Sequence, residues 1–166
     1  MTKFEHVRHK PPHPLLAPRQ LVLVAAPLRS SVNLSRMIRL AGNCGIGRLI
    51  HCGVGKVDRL IARDAADFVQ VETHRSMGPV LDKLRAEGWR LVGLEQTTNS
   101  QCLYGFGFAK QTALVIGAER EGLSADILAK LDDVVEIPVY GPPASHNVVT
   151  ATTMALYEYC RQYPDG

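Results

Sequence analysis

A mostly parallel α/β sheet of six strands with flanking helices is the fold class this sequence predicts, on three observations. From residue 20 onward short apolar runs alternate with amphipathic stretches, the pattern of strands and helices taking turns along one chain. The first run, QLVLVAA (20–26), is apolar without interruption, as a parallel strand covered on both faces requires. Polar, glycine-rich segments follow the strand ends at 27–33, 117–122 and 140–147, where sheets of this class hold ligands.

Taken in order, residues 1–19 contain Pro11, Pro12, Pro14 and Pro18 and no hydrophobic period, so they read as an extended basic arm, with the domain over 20–166. After the first strand, residues 31–44 place Leu34, Ile38 and Ala41 at helical spacing, with Asn33 or Ser31 as cap. RLIHCG (48–53) is the second strand, DRLIARDAA (58–66) a short helix and DFVQVE (67–72) the third strand. SMGPVLDKLRAEG (76–88) is an amphipathic helix closing on glycine. WRLVGLEQ (89–96), TALVIGAE (112–119) and DVVEIPV (133–139) are strands four to six, with a helix begun by Ser124 between the last two. A final helix over about 145–162 buries Val148, Val149, Thr152, Leu156 and Tyr159.

The 166 residues, 46% apolar and 21% charged, suit one globular domain. No stretch reaches the roughly 18–20 apolar residues of a membrane span, and the N-terminus lacks the apolar region of a secretory signal, so a cytoplasmic protein is expected. Cys44, Cys52, Cys102 and Cys160 form no CxxC pair and are expected free, reduced and buried. His6, His9 and His13 lack a fourth ligand in a segment that cannot preorganise one, so no metal is expected. The net charge of +3 is segregated. Residues 1–63 hold eleven Lys/Arg against Glu5 and Asp58, while the remainder holds eight against fourteen acids. This suggests a basic face for a polyanion, built by the first third of the chain.

Familiar catalytic motifs fail. GVGKVD (53–58) has Ile50 where a phosphate-binding loop needs its first glycine and Val57 where it needs Ser/Thr. GNCGIG (42–47) misses the dinucleotide spacing. Ser145-His146-Asn147 are adjacent, whereas a hydrolase triad is assembled from separate segments.

Three blocks carry a resemblance: Val32-Asn33-Leu34-Ser35-Arg36-Met37-Ile38-Arg39-Leu40-Ala41 followed by Gly45; Leu114 to Ser124, reading LVIGAEREGLS; and Ile137-Pro138 followed by Ser145-His146-Asn147-Val148 and a helix ending LYEYCRQ. In order and spacing they resemble the N-x-x-x-x-x-R, G-x-E-x-x-G and S-x-N motifs of the SpoU branch of the SPOUT RNA methyltransferases, over residues 20–163. VGLEQT (92–97) and GAEREGLS are most similar to the tRNA (guanosine-2'-O)-methyltransferase subgroup. The sequence departs at His146, where the family usually carries Leu, which we read as a packing substitution.

The resemblance implies a C-terminal deep trefoil knot, S-adenosylmethionine as cofactor, a homodimer whose subunits complete each other's site, and an RNA substrate, tRNA ahead of rRNA, with no DNA or membrane partner. It assigns Arg39, Asn33, Glu119, Ser145 and Asn147 to transfer onto a ribose 2'-hydroxyl. Because a guanidinium holds its proton above pH ~12, Arg39 is expected as a phosphate clamp and charge stabiliser rather than a base. Asn33, six residues earlier and nearly two helical turns away, is expected near the same helix edge. The cofactor would meet Leu94, Glu95, Gln96, Gly117, Glu119, Gly122, Ile137, Ser145, Asn147 and Val148. RNA contacts are expected from Lys10, Arg19, Arg29, Arg36 and Arg120, and dimer contacts from Met154, Tyr157 and Tyr159. The competing reading is a catalytically weak or inactive RNA-binding protein on the same fold.

Overall fold

The computed structural model describes residues 3–166; Met1 and Thr2 of the expected arm lie outside the described residues. One parallel sheet of seven strands, in the order β3-β2-β1-β6-β4-β7-β5, organises the chain. Its strands are β1 (Leu21–Ala25), β2 (Arg48–Cys52), β3 (Gln70–His74), β4 (Arg90–Leu94), β5 (Gln101–Cys102), β6 (Thr112–Ile116) and β7 (Asp133–Glu136). The helices are α1 (Ser31–Asn43), α2 (Arg59–Ala62), α3 (Ala65–Phe68), α4 (Met77–Ala86), α5 (Ala125–Leu128) and α6 (Val148–Gln162).

The apolar run of β1 is uninterrupted because the strand feeds two cores. Leu21, Leu23 and Ala25 pack with Met37 and Ile38 of α1 and with Leu156 and Tyr159 of α6. Val22 and Val24, pointing to the opposite face, pack with Leu81 and Leu84 of α4. The late strands are then inserted between earlier ones: β6 lies between β1 and β4, and β7 between β4 and β5. Loops from four non-consecutive parts of the sequence therefore meet beyond one end of the sheet.

All six expected strands form, and β5 is a seventh that two residues with no period could not announce. The third strand sits later than expected: Asp67 and Phe68 belong to α3, and pairing with β2 starts at Gln70. The single helix expected over 58–66 is two short ones, α2 and α3, parted at Arg63, whose φ is +54°. Neither Ser31 nor Asn33 caps α1. The cap is Ser30, still extended, whose Oγ accepts from the Asn33 N–H at 3.3 Å. Helix α6 starts at Val148 rather than about 145 because the Asn147 Oδ1 accepts from the N–H groups of Val149 (2.9 Å) and Thr150 (3.4 Å). Thr152, Leu156 and Tyr159 are buried as expected, whereas Val148 and Val149 are half-buried.

Among the described residues the arm has no helix or strand, but its end is held by Arg19. Arg19 Nε donates to the Cys44 carbonyl at 2.7 Å and Nη1 to the Tyr163 carbonyl. Those carbonyls close α1 and α6, and helix ends leave such groups without helical partners. Arg19 thus fastens the arm to two helix C-termini. Cys102 corrects the expectation of buried thiols: it lies exposed on β5, while Cys44 and Cys52 are buried, Cys160 is half-buried and all four are free. Among the described residues no helix is long and apolar enough to cross a membrane.

Candidate active site

Beyond the C-terminal ends of β4, β6 and β7, the segments 94–97, 116–123 and 136–139 join Ser145, His146 and the start of α6 around a cavity of about 480 Å³. That volume suits a ligand of nucleoside size. Leu94, Glu95, Gln96, Gly117, Glu119, Gly122, Ile137, Ser145 and Val148 all line it. Asn147 does not line it, because its side chain is turned back to cap α6.

The loop after β6 is folded by its two glycines. Ala118 and Gly122 exchange backbone hydrogen bonds of 3.3 and 3.0 Å, so Gly122 crosses directly over Gly117. A β-carbon on Gly117 would lie 2.6 Å from the Gly122 carbonyl carbon and 2.9 Å from the Leu123 nitrogen. Gly122 itself has φ +63°, and its missing side chain leaves room for the Glu95 carboxylate. Glu95 accepts from the Leu123 N–H and the Gln96 N–H, both at 3.0 Å, tying the β4 and β6 loops together. The space left by the missing side chain of Gly117 is thus used first by the loop's own backbone.

Glu119 joins this loop to the β1–α1 connection. Its Oε1 accepts from Asn33 Nδ2 at 3.1 Å and its Oε2 from the Arg29 N–H at 3.2 Å. Burial would raise its carboxyl pKa, but the donors on Asn33 and on the backbone of Glu119, Arg29 and Ser30 outweigh it and hold it below the usual range. Glu119 is therefore an ionised brace at the cavity wall.

Arg39 is exposed and lies off the cavity wall, and it does not share an edge with Asn33. Six residues turn a helix by 600°, leaving the two side chains about 120° apart. Arg120 lines the cavity, Arg29 pairs with Glu121 near its rim, and Arg36 and Lys10 are exposed. Residues that the motifs did not name also line it, among them Thr97, Leu123, Leu128, Glu136, Val139, His146 and Ala151. Thr97 ends the VGLEQT run, and Leu123 and Val139 are the apolar neighbours of motif positions, so the rule of strand ends would have reached them. Glu136 accepts from the Ser100 hydroxyl at 2.7 Å.

The chemistry of the lining fits one class of ligand. Leu94, Ile116, Ile137, Val148 and Ala151 offer apolar wall for a flat base, while Glu95, Glu119, Glu121 and Glu136 outnumber the single arginine. Carboxylates beside an apolar slot suit a nucleoside that carries positive charge. S-adenosylmethionine, with its adenine and sulfonium, is such a molecule.

Known proteins give the same orientation. The tRNA (guanosine(18)-2'-O)-methyltransferase of Escherichia coli (strain K12) is 29% identical over 153 residues, which cover 89% of this chain and 67% of that protein. The A. aeolicus TrmH/SpoU tRNA modifying enzyme matches with a TM-score of 0.84 at 26% identity, over 89% of this chain and 77% of that one. The SpoU methyltransferase AviRb from Streptomyces viridochromogenes, solved in complex with AdoMet, matches with a TM-score of 0.76 at 27% identity, over 92% of this chain and 64% of that one. The model of the SpoU rRNA methylase family spans residues 20–157, from the start of the sheet through every segment that walls the cavity, and the chain belongs to that family.

Proposed function

We propose that this chain is an S-adenosylmethionine-dependent RNA methyltransferase that modifies a ribose 2'-hydroxyl, on tRNA ahead of rRNA, in the cytoplasm. The observation that carries it is the convergence of nine motif residues on one apolar, carboxylate-rimmed cavity. The relatives at 29% and 26% identity act on tRNA by their names, which is what favours tRNA. The cofactor would supply an already activated methyl group, so alignment and management of the hydroxyl proton are what remain for the protein. Leu94, Ile137 and Val148 would hold the base; Glu95 and Glu119 fix the loops that frame it. Ser145, at the cavity wall, would orient the substrate, and Asn147 would act through the start of α6.

Arg39 would bind the phosphate beside the target ribose with its planar fork. Because Arg39 is off the cavity wall of its own subunit, we place it at the cavity of a second copy, in a homodimer. Tyr157 and Tyr104, 54% and 57% exposed, and the half-buried Met154 that neighbours Tyr104 offer apolar surface for such pairing. Tyr159 is not part of it: it is fully buried and donates to the Lys110 carbonyl at 2.6 Å. The family's trefoil knot belongs to this reading, through the segment between β7 and α6.

Transfer of labelled methyl groups from S-adenosylmethionine to total tRNA and to ribosomal RNA, followed by mapping of 2'-O-methyl positions, tests the proposal. Methylation of one tRNA position is the expected result. Cofactor binding by calorimetry without transfer to any RNA would leave the weak or inactive RNA-binding reading in its place, and a monomer by light scattering would remove the second copy.

A further inference from the structure

His51 of β2 is a buried imidazole beside the β1–α1 connection, 1% exposed. Its Nε2 accepts a hydrogen bond from the Leu28 N–H at 3.2 Å. An imidazole nitrogen that accepts carries no proton, so in the neutral ring the proton sits on Nδ1. Nδ1 is buried and has no hydrogen-bond partner among the described residues. The loop after β2 closes over it: a β-carbon on Gly55 would lie 2.8 Å from His51 Cε1 and 3.2 Å from Nδ1. A buried donor without a partner is costly, and an apolar side chain of similar size would avoid that cost.

What the imidazole does in return is hold Leu28. Leu28 sits between the end of β1 and the Ser30 cap, one residue before Arg29, whose N–H braces Glu119, and five before Asn33, whose amide does the same. Ala26, at the start of this connection, is fixed by its N–H to the Ile116 carbonyl at 2.9 Å. The connection is thus pinned at three successive places: to β6, to His51 and to Glu119.

We propose that His51 is a positioning residue for methyl transfer: as a neutral acceptor it anchors the β1–α1 connection that carries Arg29 and Asn33 onto Glu119, and its protonation releases that connection. The proposal rests on the methyltransferase reading above. A proton on Nε2 turns the acceptor into a donor facing the Leu28 N–H, so the bond is lost and two donors confront each other. Burial opposes that proton and holds the imidazole below its ordinary range, while the charge of Glu119 acts the other way. The neighbours from α1 and from the loop after β2, Leu34 and Gly55, bring no charge. The anchor is therefore intact above the usual histidine value of about 6.5 and fails only when the pH falls below it.

Nuclear magnetic resonance on the full chain reads the anchor directly. The Leu28 amide is expected to be protected from exchange at pH 8 and to lose protection with the same midpoint, below about 6.5, at which the His51 ring titrates. Methyl transfer by the wild type should share that midpoint. His51→Gln can still accept from the Leu28 N–H but cannot titrate. It should keep the amide protected, transfer methyl groups and lose the acid limb. His51→Leu keeps the volume and removes the acceptor; kcat should fall at least about tenfold, the scale of a catalytic group displaced by a fraction of an ångström, with cofactor affinity within twofold. An unaltered acid limb in His51→Gln, a wild-type kcat in His51→Leu, or a Leu28 amide indifferent to the ring's titration would each overturn the proposal. Should the wild type transfer no methyl group at any pH, the methyltransferase reading falls, and the Leu28 amide still decides whether His51 is the anchor.

Discussion

Gly117→Ala puts one carbon where the cavity loop crosses itself. The new β-carbon would meet three backbone atoms of Gly122 and Leu123, at 2.6, 2.8 and 2.9 Å. Carbon atoms in contact prefer about 3.5–4.0 Å, so Gly122 and Leu123 must lift off the 117–118 segment by roughly 1 Å, and no side chain can swing aside to spare them. That lift stretches the Ala118–Gly122 pair of hydrogen bonds and the Leu123 N–H bond to Glu95. Three bonds at about 1 kcal/mol each make about 3 kcal/mol. If the cofactor needs the loop closed, this weakens its binding by about 100-fold. The melting temperature should fall by about 6–12 °C, since about 2–4 °C per kcal/mol applies to a domain of this size. Gly122→Ala is the internal comparison. Its β-carbon meets only the Glu95 side chain, which can shift by giving up its bond from the Leu123 N–H, so the cost is that one bond, about 1 kcal/mol, and the left-handed backbone, about 1–2 kcal/mol. Calorimetric titration of both variants with S-adenosylhomocysteine, beside thermal melts, gives the order. Gly117→Ala binding within threefold of the wild type, or more tightly than Gly122→Ala, would refute the argument that backbone crossing is what requires glycine.

Arg39→Ala should leave cofactor affinity within about twofold, because Arg39 lines no part of the cavity, and should lower methyl transfer by at least ~10²-fold; Arg39→Lys should restore little. Retained transfer, or loss of the cofactor instead, would show that Arg39 has another role. Arg19→Ala should destabilise the fold by about 1–3 kcal/mol and raise amide exchange around Tyr163, while RNA affinity hardly changes. A fall in RNA affinity with unchanged melting would return Arg19 to the RNA surface. Removing residues 1–14 takes away Lys3, Arg8 and Lys10 but keeps the Arg19 fastening. RNA binding should weaken and its salt dependence flatten, with cofactor binding unaltered. An identical salt slope would make the arm irrelevant to RNA.

The parts of this molecule that were legible in the sequence are those where a local pattern and a long-range demand coincide. The run LVLVA announces a central strand because both faces of β1 are covered. Nine of the ten residues that the family resemblance assigns to a cofactor line one cavity because those positions fall at strand ends, and the sheet order brings those ends together. Where only the long-range demand exists, the sequence is silent. Arg19 looks like any other basic residue of a basic arm, and its carbonyl partners lie 25 and 144 residues away. His51 looks like a stray polar residue in an apolar strand, and only the fold shows that it faces the N–H of Leu28, 23 residues earlier. The glycines of GVGKVD suggest a phosphate loop, yet Gly53 packs on Pro27 and Gly55 on His51; their conformational freedom goes into covering the β1–α1 connection.

The pair Asn33 and Arg39 shows how a correct motif can carry a wrong geometry. Six residues look like two turns on paper, yet a helix of 3.6 residues per turn separates them by about 120°. One helix therefore sends Asn33 inward to brace Glu119 beside its own cavity and Arg39 outward to solvent. A reaction that uses both cannot be closed by turning side chains on a rigid α1, whose Leu34, Met37 and Ile38 are locked in the core. Either the RNA spans the helix or a second subunit presents its Arg39 to this cavity. The exposed aromatic surface of α6 and its surroundings favours the second arrangement. In that arrangement an Arg39→Ala subunit paired with an Asn33→Ala subunit would keep one of its two cavities fully furnished. Such mixed dimers should therefore recover about half the wild-type transfer, where either variant alone recovers almost none.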